Sequence, residues 1–299
     1  MKNNVKATPI LIVTAVIWGF AFVAQRLGAE HLRSFSFNGI RFALGAVSLI
    51  PVVLILERKQ LGSFRFRSIL LPSAVSGTIL FLASFFQQYG VELSGSAGKA
   101  GFLTDLYIVL VPVTEVLFFR KRKGISLWIG VLLAFAGLYL ITLGNLETEP
   151  GWGDFFLVIC AFFWTAHILA VDRFMEKGLP PLLFSCTQFF VCSVWNLIFA
   201  FPLENPTWEA VSAAGIPILY GGLMSVGVAY TLQVVGQRYA EPAFASIVLS
   251  LECMFSAVGG ALILDERMGV AGWIGCALML IGIMVPQLFD RGKENQTGE

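Results

Sequence analysis

Six stretches of this chain run the width of a bilayer without one charged side chain: Ala7–Gln25, Ser68–Val91, Gly124–Leu146, Gly178–Leu203, Ala210–Gln237 and Met268–Phe289. A spanning helix needs about 20 apolar residues. Backbone polar groups in lipid must be satisfied internally, which admits only helices and closed barrels. Barrel strands are runs of about 10 residues with alternating polarity; these runs are continuous, so helices follow. Two more segments come close, Phe42–Leu56 extended upstream past Arg41, and Phe155–Val171. Two others, roughly 98–118 and 243–264, are apolar but interrupted, the first by Lys99, Asp105 and Glu115, the second by Glu252. Numbered in chain order, these are ten expected transmembrane helices, an all-α integral membrane fold.

Ten spans consume about 200 residues of the 299, leaving loops and tails but no second domain. With 57% hydrophobic and 13% charged residues, a soluble enzyme is excluded. A net charge of +1 from dispersed basic residues offers no phosphate-binding face, so no nucleic-acid partner is expected. All five cysteines lie inside apolar stretches and read as small buried hydrophobes. His31 and His167 are too far apart to suggest a metal site, and no cofactor is expected. Neither an HExxH, a GxSxG, a Walker loop nor a GxGxxG is present, so the chain does not read as an enzyme. Without a nucleotide domain, energy must come from an ion gradient or from the substrate's own gradient. Lys2 and Lys6 before the first apolar run resemble a signal peptide, but the run ends in Gln25-Arg26 without a small-x-small pattern, and a retained helix is expected.

Basic residues set the orientation. With the N-terminus inside, cytoplasmic segments hold fifteen Lys and Arg, among them the run Arg120–Lys123, against Arg26, Arg33, Lys99 and Arg267 outside. Both termini are expected in the cytoplasm, and the membrane is expected to be the inner membrane of a bacterium.

The chain repeats itself. The segment from Leu106 aligns without a gap to that from Leu251, matching Gly124 to Gly269, Trp128 to Trp273, Gly130 to Gly275 and Gly137 to Gly282. Shifted by one or two residues, Trp18 falls on Trp164, Arg26 on Arg173, Gln87 on Gln233 and Gly90 on Gly236. Residues 1–146 and 147–299 are therefore two five-helix units. Five is odd, so the second enters the membrane from the opposite side, the inverted repeat of many secondary transporters. The glycine pairs 130/137 and 275/282 lie on one helical face each and suit close helix packing.

The double repeat, the tryptophan in helices 1 and 6, and the stretch ASIVLSLECMFSAVGGALILDERMGVAGWIGCALMLIG resemble the EamA branch of the drug/metabolite transporter superfamily, over about residues 8–288. That resemblance implies a ten-helix carrier, often an exporter of amino acids or related metabolites, with a central cavity between the repeats. Two departures stand out: Cys253 where the family commonly has proline, and Arg120–Lys123 where an acid often follows helix 4.

Independently of that resemblance, matching interrupted helices in two halves mark a substrate site; here they are helices 4 and 9. Glu252 lies about nine residues into helix 9, roughly 14 Å deep, and its repeat mate is Tyr107. It suits either a proton-binding group or a fixed hydrogen bond between helices. Asp105 and Arg41 lie at equal depth, about 10 Å from the outer ends of their helices, and an ion pair between helices 2 and 4 is expected, with a structural lock favoured over direct substrate contact and Asp105 kept with Tyr107 and Glu252 among the ligand-binding candidates. Arg41 corresponds to Gln188, so the pair would not be symmetric. His167, three residues beyond Trp164, either titrates or packs. Trp18 and Trp164 either wall a flat or cationic ligand or simply pack. Gln87, Tyr230 and Gln233 add polar groups on helices 3 and 8, with Gln87 expected at a rim. Glu115 is expected to snorkel or pair at the inner surface.

The expectation is a secondary transporter exporting small polar metabolites, amino acids or related compounds, by rocking two repeats around a cavity lined by helices 1, 3, 4, 6, 8 and 9. Its partners would be substrate, bilayer and possible protons, as monomer or homodimer. A uniporter, a multidrug exporter, a channel, and a membrane enzyme or scaffold remain as alternatives.

Overall fold

The computed structural model describes residues 3–59, 67–94, 97–142, 151–263 and 269–297, and every regular element among them is helical. Ten long helical segments result: α1 Asn4–Ala29, α2 Ser34–Leu56, α3 Arg67–Ser94, α4 in two pieces (Ala97–Thr104, Tyr107–Leu117), α5 Ile125–Thr142, α6 Trp152–Glu176, α7 Pro181–Leu203, α8 Gly215–Gln237, α9 in two pieces (Pro242–Leu249, Leu251–Ile263) and α10 Val270–Thr297. A short helix, Trp208–Ala213, precedes α8. Among the described residues nine of these are long and apolar enough to cross a membrane, and α5 is a shorter apolar helix.

The two repeats interlock rather than sit side by side. α5 packs chiefly on α10, α2 on α7, and α3 on α6 and α7, while α1 lies against α8 and α9. The α5–α10 seam explains the glycines: a Cβ on Gly137 would collide with the Gly275 carbonyl and one on Gly275 with the Gly137 carbonyl, and Gly130 and Gly282 oppose each other likewise. Contacts of this kind, exchanged between repeat mates, are what a pseudo-two-fold axis in the membrane plane produces.

α2 and α7 are tied at both ends by the same device. Glu57, just past α2, accepts from the Leu182 and Leu183 N–H groups at the start of α7 at 3.0 and 2.8 Å. Glu204, just past α7, accepts from the Phe35 and Ser36 N–H groups at the start of α2 at 3.0 and 2.6 Å. Carboxylates there satisfy orphan helix donors and meet the positive end of the dipole. Glu57 lies at the end of the molecule that holds the N-terminus, the proximal end; Glu204 lies at the distal end.

α4 and α9 break at matching places. α4 is interrupted at Asp105–Leu106 and α9 at Ser250, the repeat mate of Asp105. Residues Tyr220–Tyr230 of α8 are wound as a π-helix, a wider turn that tends to mark functional sites.

Candidate functional site

The breaks in α4 and α9 bring repeat mates together. Tyr107 Oη donates to Glu252 Oε1 at 3.0 Å, and both side chains are buried. Residues related by a two-fold axis touch each other only beside that axis, so this bond lies at the centre of the molecule. Beside it is a cavity of about 20 Å³, room for about one water. The bundle is thus closed around it, and a metabolite would need its walls to part.

Six helices supply those walls, and they are the six expected: α1, α3, α4, α6, α8 and α9. Seven of the residues singled out from the sequence line it together: Trp18, Gln87, Tyr107, Trp164, Tyr230, Gln233 and Glu252. Three of them form an aromatic cluster, Trp18 edge-on to Tyr230 at 4.6 Å and Trp164 stacked on Tyr230 at 5.8 Å between centroids. The tryptophans differ in their N–H groups. Trp18 Nε1 donates to the Ser225 carbonyl at 3.4 Å, whereas Trp164 Nε1 is buried with no partner. The Gln233 Oε1 atom is also buried without a donor. Among the described residues Glu252 is the one carboxylic acid in the lining, and no Lys, Arg or His joins it. Such a wall, aromatic and acidic, is suited to a small ligand with an ammonium group.

Other expectations are placed differently. Gln87 is not at a rim; it lines the central cavity, with Nε2 3.5 Å from Thr104 Oγ1. Asp105 lies behind the wall beside Tyr107 and Glu252, and both its oxygens are buried without a hydrogen-bond partner. His167 is buried outside the cavity, its Nε2 3.1 Å from Gln188 Oε1 and its ring edge-on to Trp164.

The expected Arg41–Asp105 ion pair is corrected. Among the described residues no ion pair joins them; Arg41 Nε donates to Asn38 Oδ1 at 2.9 Å, and its guanidinium faces the rings of Phe37 and Phe42. Equal depth misled because depth fixes one coordinate only: α2 packs on α7 and α8, whereas α4 packs on α6 and α9. Four of the five cysteines are buried as expected, and Cys186 is half-buried.

Sequence reasoning missed Ala21, Phe22, Gln25, Ile168, Ser225 and Leu249 in the lining. Phe22 and Gln25 were findable, at four and seven residues from Trp18 on one helical face. Ser225 was not, because the π-helical winding shifts which residues of α8 point together.

At the proximal end a second polar cluster links the repeats. Glu115 at the end of α4 is fully buried, and meets Lys121 at 3.2 Å and Lys123 at 2.8 Å. It also accepts from the Ala243 N–H at the start of α9 at 3.2 Å, while Lys123 reaches Glu241 at 3.1 Å. Burial pulls against the charge on Lys121, but Glu115 outweighs it and raises the basicity of this lysine. The expected paired charge at Glu115 is present, with the pairing spanning both halves of the chain.

Comparison with known proteins agrees with this architecture. The model of the EamA-like transporter family matches twice, over residues 6–143 and 151–286. An uncharacterized transporter of Archaeoglobus fulgidus is 26% identical, the match covering 93% of this chain and 84% of that protein. The uncharacterized transporter YwfM of Bacillus subtilis is 23% identical over 95% of this chain and 94% of its own length. A solved crystal structure superposes with a TM-score of 0.79 at 20% identity, covering 98% of this chain and all of the other, which shows a shared fold. Two inverted five-helix units, two matches to one family model and full-length similarity to transporters give one conclusion: the chain is an integral membrane protein that belongs to the EamA-like transporter family.

Proposed function

We propose that this protein is a secondary transporter that moves a small ammonium-bearing metabolite, of the amino-acid kind, outward by alternating access of its two repeats. The observation that carries the reading is the Tyr107–Glu252 hydrogen bond on the pseudo-two-fold axis, in the wall of an aromatic cavity. A carboxyl group at that point is placed to meet either a substrate ammonium or a proton, and to be exposed alternately to each side as the repeats exchange roles. The proximal end is read as cytoplasmic from its basic residues, with the Glu115 cluster as the closure on that side.

Transport in proteoliposomes, with and without an imposed pH gradient, tests this. Wild-type protein should exchange amino acids and accelerate with the gradient. Glu252→Gln should lower the rate about 100-fold or more, as loss of a proton-transfer group does. A Glu252→Gln rate equal to wild type between about pH 6 and pH 8 would remove Glu252 from the role. Transport indifferent to the gradient in the wild type would exclude proton coupling.

A further inference from the structure

The cavity has an acid, Glu252, in its lining, a second acid, Asp105, behind Glu252, and one basic group, Arg41, buried behind the wall on another side. Arg41 is only 1% exposed, among the largest fully buried side chains of the protein. Its Nε is bonded to Asn38, two phenylalanine rings flank it at 5.5 and 5.1 Å, and its Nη2 is buried with no hydrogen-bond partner. Among the described residues no carboxylate forms an ion pair with it. An unneutralised guanidinium inside a membrane is expensive, and such residues mark functional sites.

The fold does not demand the charge. The repeat mate of Arg41 is Gln188, a neutral residue answered by His167. The mate of His167 in turn is Ala21, a cavity-lining residue with no side chain to answer Arg41. The same bundle position is therefore filled without charge in one half and with charge in the other.

Arg41 is also close to the wall. A Cβ added to Gly221 on α8 would lie 3.3 Å from Arg41 Cδ, and one turn on, Ser225 lines the cavity. Tyr230 lines it too, its ring 5.8 Å from that of Phe42, which is one of the two rings the Arg41 guanidinium faces. Negative Glu252 on α9 and positive Arg41 on α2 thus act on the same stretch of wall. An amine satisfies the first and is repelled by the second; a zwitterion satisfies both.

We propose that Arg41 is a specificity-determining residue, whose buried charge makes the cavity favour ligands carrying a carboxylate beside the ammonium group over plain amines. This rests on the ammonium reading of the cavity given above. At an effective dielectric constant of about 20, unit charges about 8–12 Å apart change an equilibrium about 10- to 30-fold.

Thermal-shift titration of the purified full-length protein tests it with phenylalanine, phenylalaninamide and phenethylamine, and with leucine and isoamylamine. Wild type should bind the amino acids at least about 10-fold more tightly than the matched amide and amines. Arg41→Gln, which installs the residue of the other repeat, should erase or reverse that preference, and Arg41→Lys should keep part of it. Equal affinities of wild type for phenylalanine and phenylalaninamide overturn the proposal without any variant, and so does a preference unchanged in folded Arg41→Gln. If no ammonium-bearing probe stabilises the wild type, the ammonium reading falls, and this proposal with it. Binding that ignores the carboxylate sinks the Arg41 role alone.

Discussion

Helices α4 and α9 hold equivalent places in the two repeats, break at matching residues and meet in one hydrogen bond on the pseudo-two-fold axis. Their charges do not match. α4 carries Asp105 at its break and Glu115 ten residues on, where α9 has Ser250 and Gly260. α2 and α7 show the same division: their capping acids, Glu57 and Glu204, are repeat mates making mated bonds, but Arg41 is answered by Gln188. What holds the bundle is duplicated, and what puts charge in its interior is not. An inverted-repeat carrier exchanges the conformations of its halves, so its frame must work in either role. Recognition and closure need each charge once.

The largest effect separating these classes is expected at Glu115, which belongs to one repeat only. Glu115→Ala leaves Lys123, whose side chain is 5% exposed, with the half-exposed Glu241 as its one remaining ion-pair partner among the described residues. Removing one member of a buried pair costs about 3–5 kcal/mol, which thermal denaturation in detergent should register as a large fall in Tm. Glu115→Ala with Lys123→Ala removes both charges and should recover at least half of that loss. A double variant as unstable as the single would show that the carboxylate acts through the Ala243 N–H instead.

A middle-sized effect is expected in the duplicated frame. Gly137→Ala and Gly282→Ala place a methyl group against a backbone carbonyl on the facing helix, Gly275 and Gly130 respectively. Overpacking of this kind costs about 1–3 kcal/mol. Because the two glycines are repeat mates, the two costs should agree within about 0.5 kcal/mol. A rise in Tm for either variant would mean that the α5–α10 seam has room the geometry denies.

How much of this was legible in the sequence follows the same division. Helix count, repeat and inversion could be read because each rests on many residues: long charge-free runs, and an ungapped offset through Trp128/Trp273 and Gly137/Gly282. Seven cavity residues could be read because an intramembrane Glu252 and matching polar positions are anomalies on their own helices. What failed was lateral neighbourhood. Arg41 and Asp105 share a depth but stand on helices that do not pack together, and one-dimensional spacing carries no rotation about the membrane normal. The Glu57 and Glu204 caps passed unnoticed although their offset of 147 residues was visible, because an acid at a helix end reads as an ordinary loop charge. The breaks at Asp105 and Ser250 sit in apolar runs with no proline or glycine at the break to announce them.

The smallest effect tests how good the duplication is. Glu57→Ala removes two backbone acceptor bonds from the start of α7, and Glu204→Ala removes two from the start of α2. Loss of such a cap costs about 1–2 kcal/mol. Glu204 differs in one respect: it also accepts from the Ser36 hydroxyl at 2.6 Å, a bond Glu57 lacks among the described residues. Glu204→Ala should therefore cost about 1 kcal/mol more than Glu57→Ala. In a Ser36→Ala background that excess should vanish and the two costs should coincide. If they still differ by more than about 1 kcal/mol, the caps are alike in geometry only, and the ends of the α2–α7 pair are held unequally. Equal costs would instead mean that the frame prefers neither end. The bias between the two open states would then have to come from charges present once, Glu115 with its lysines at the proximal end foremost among them.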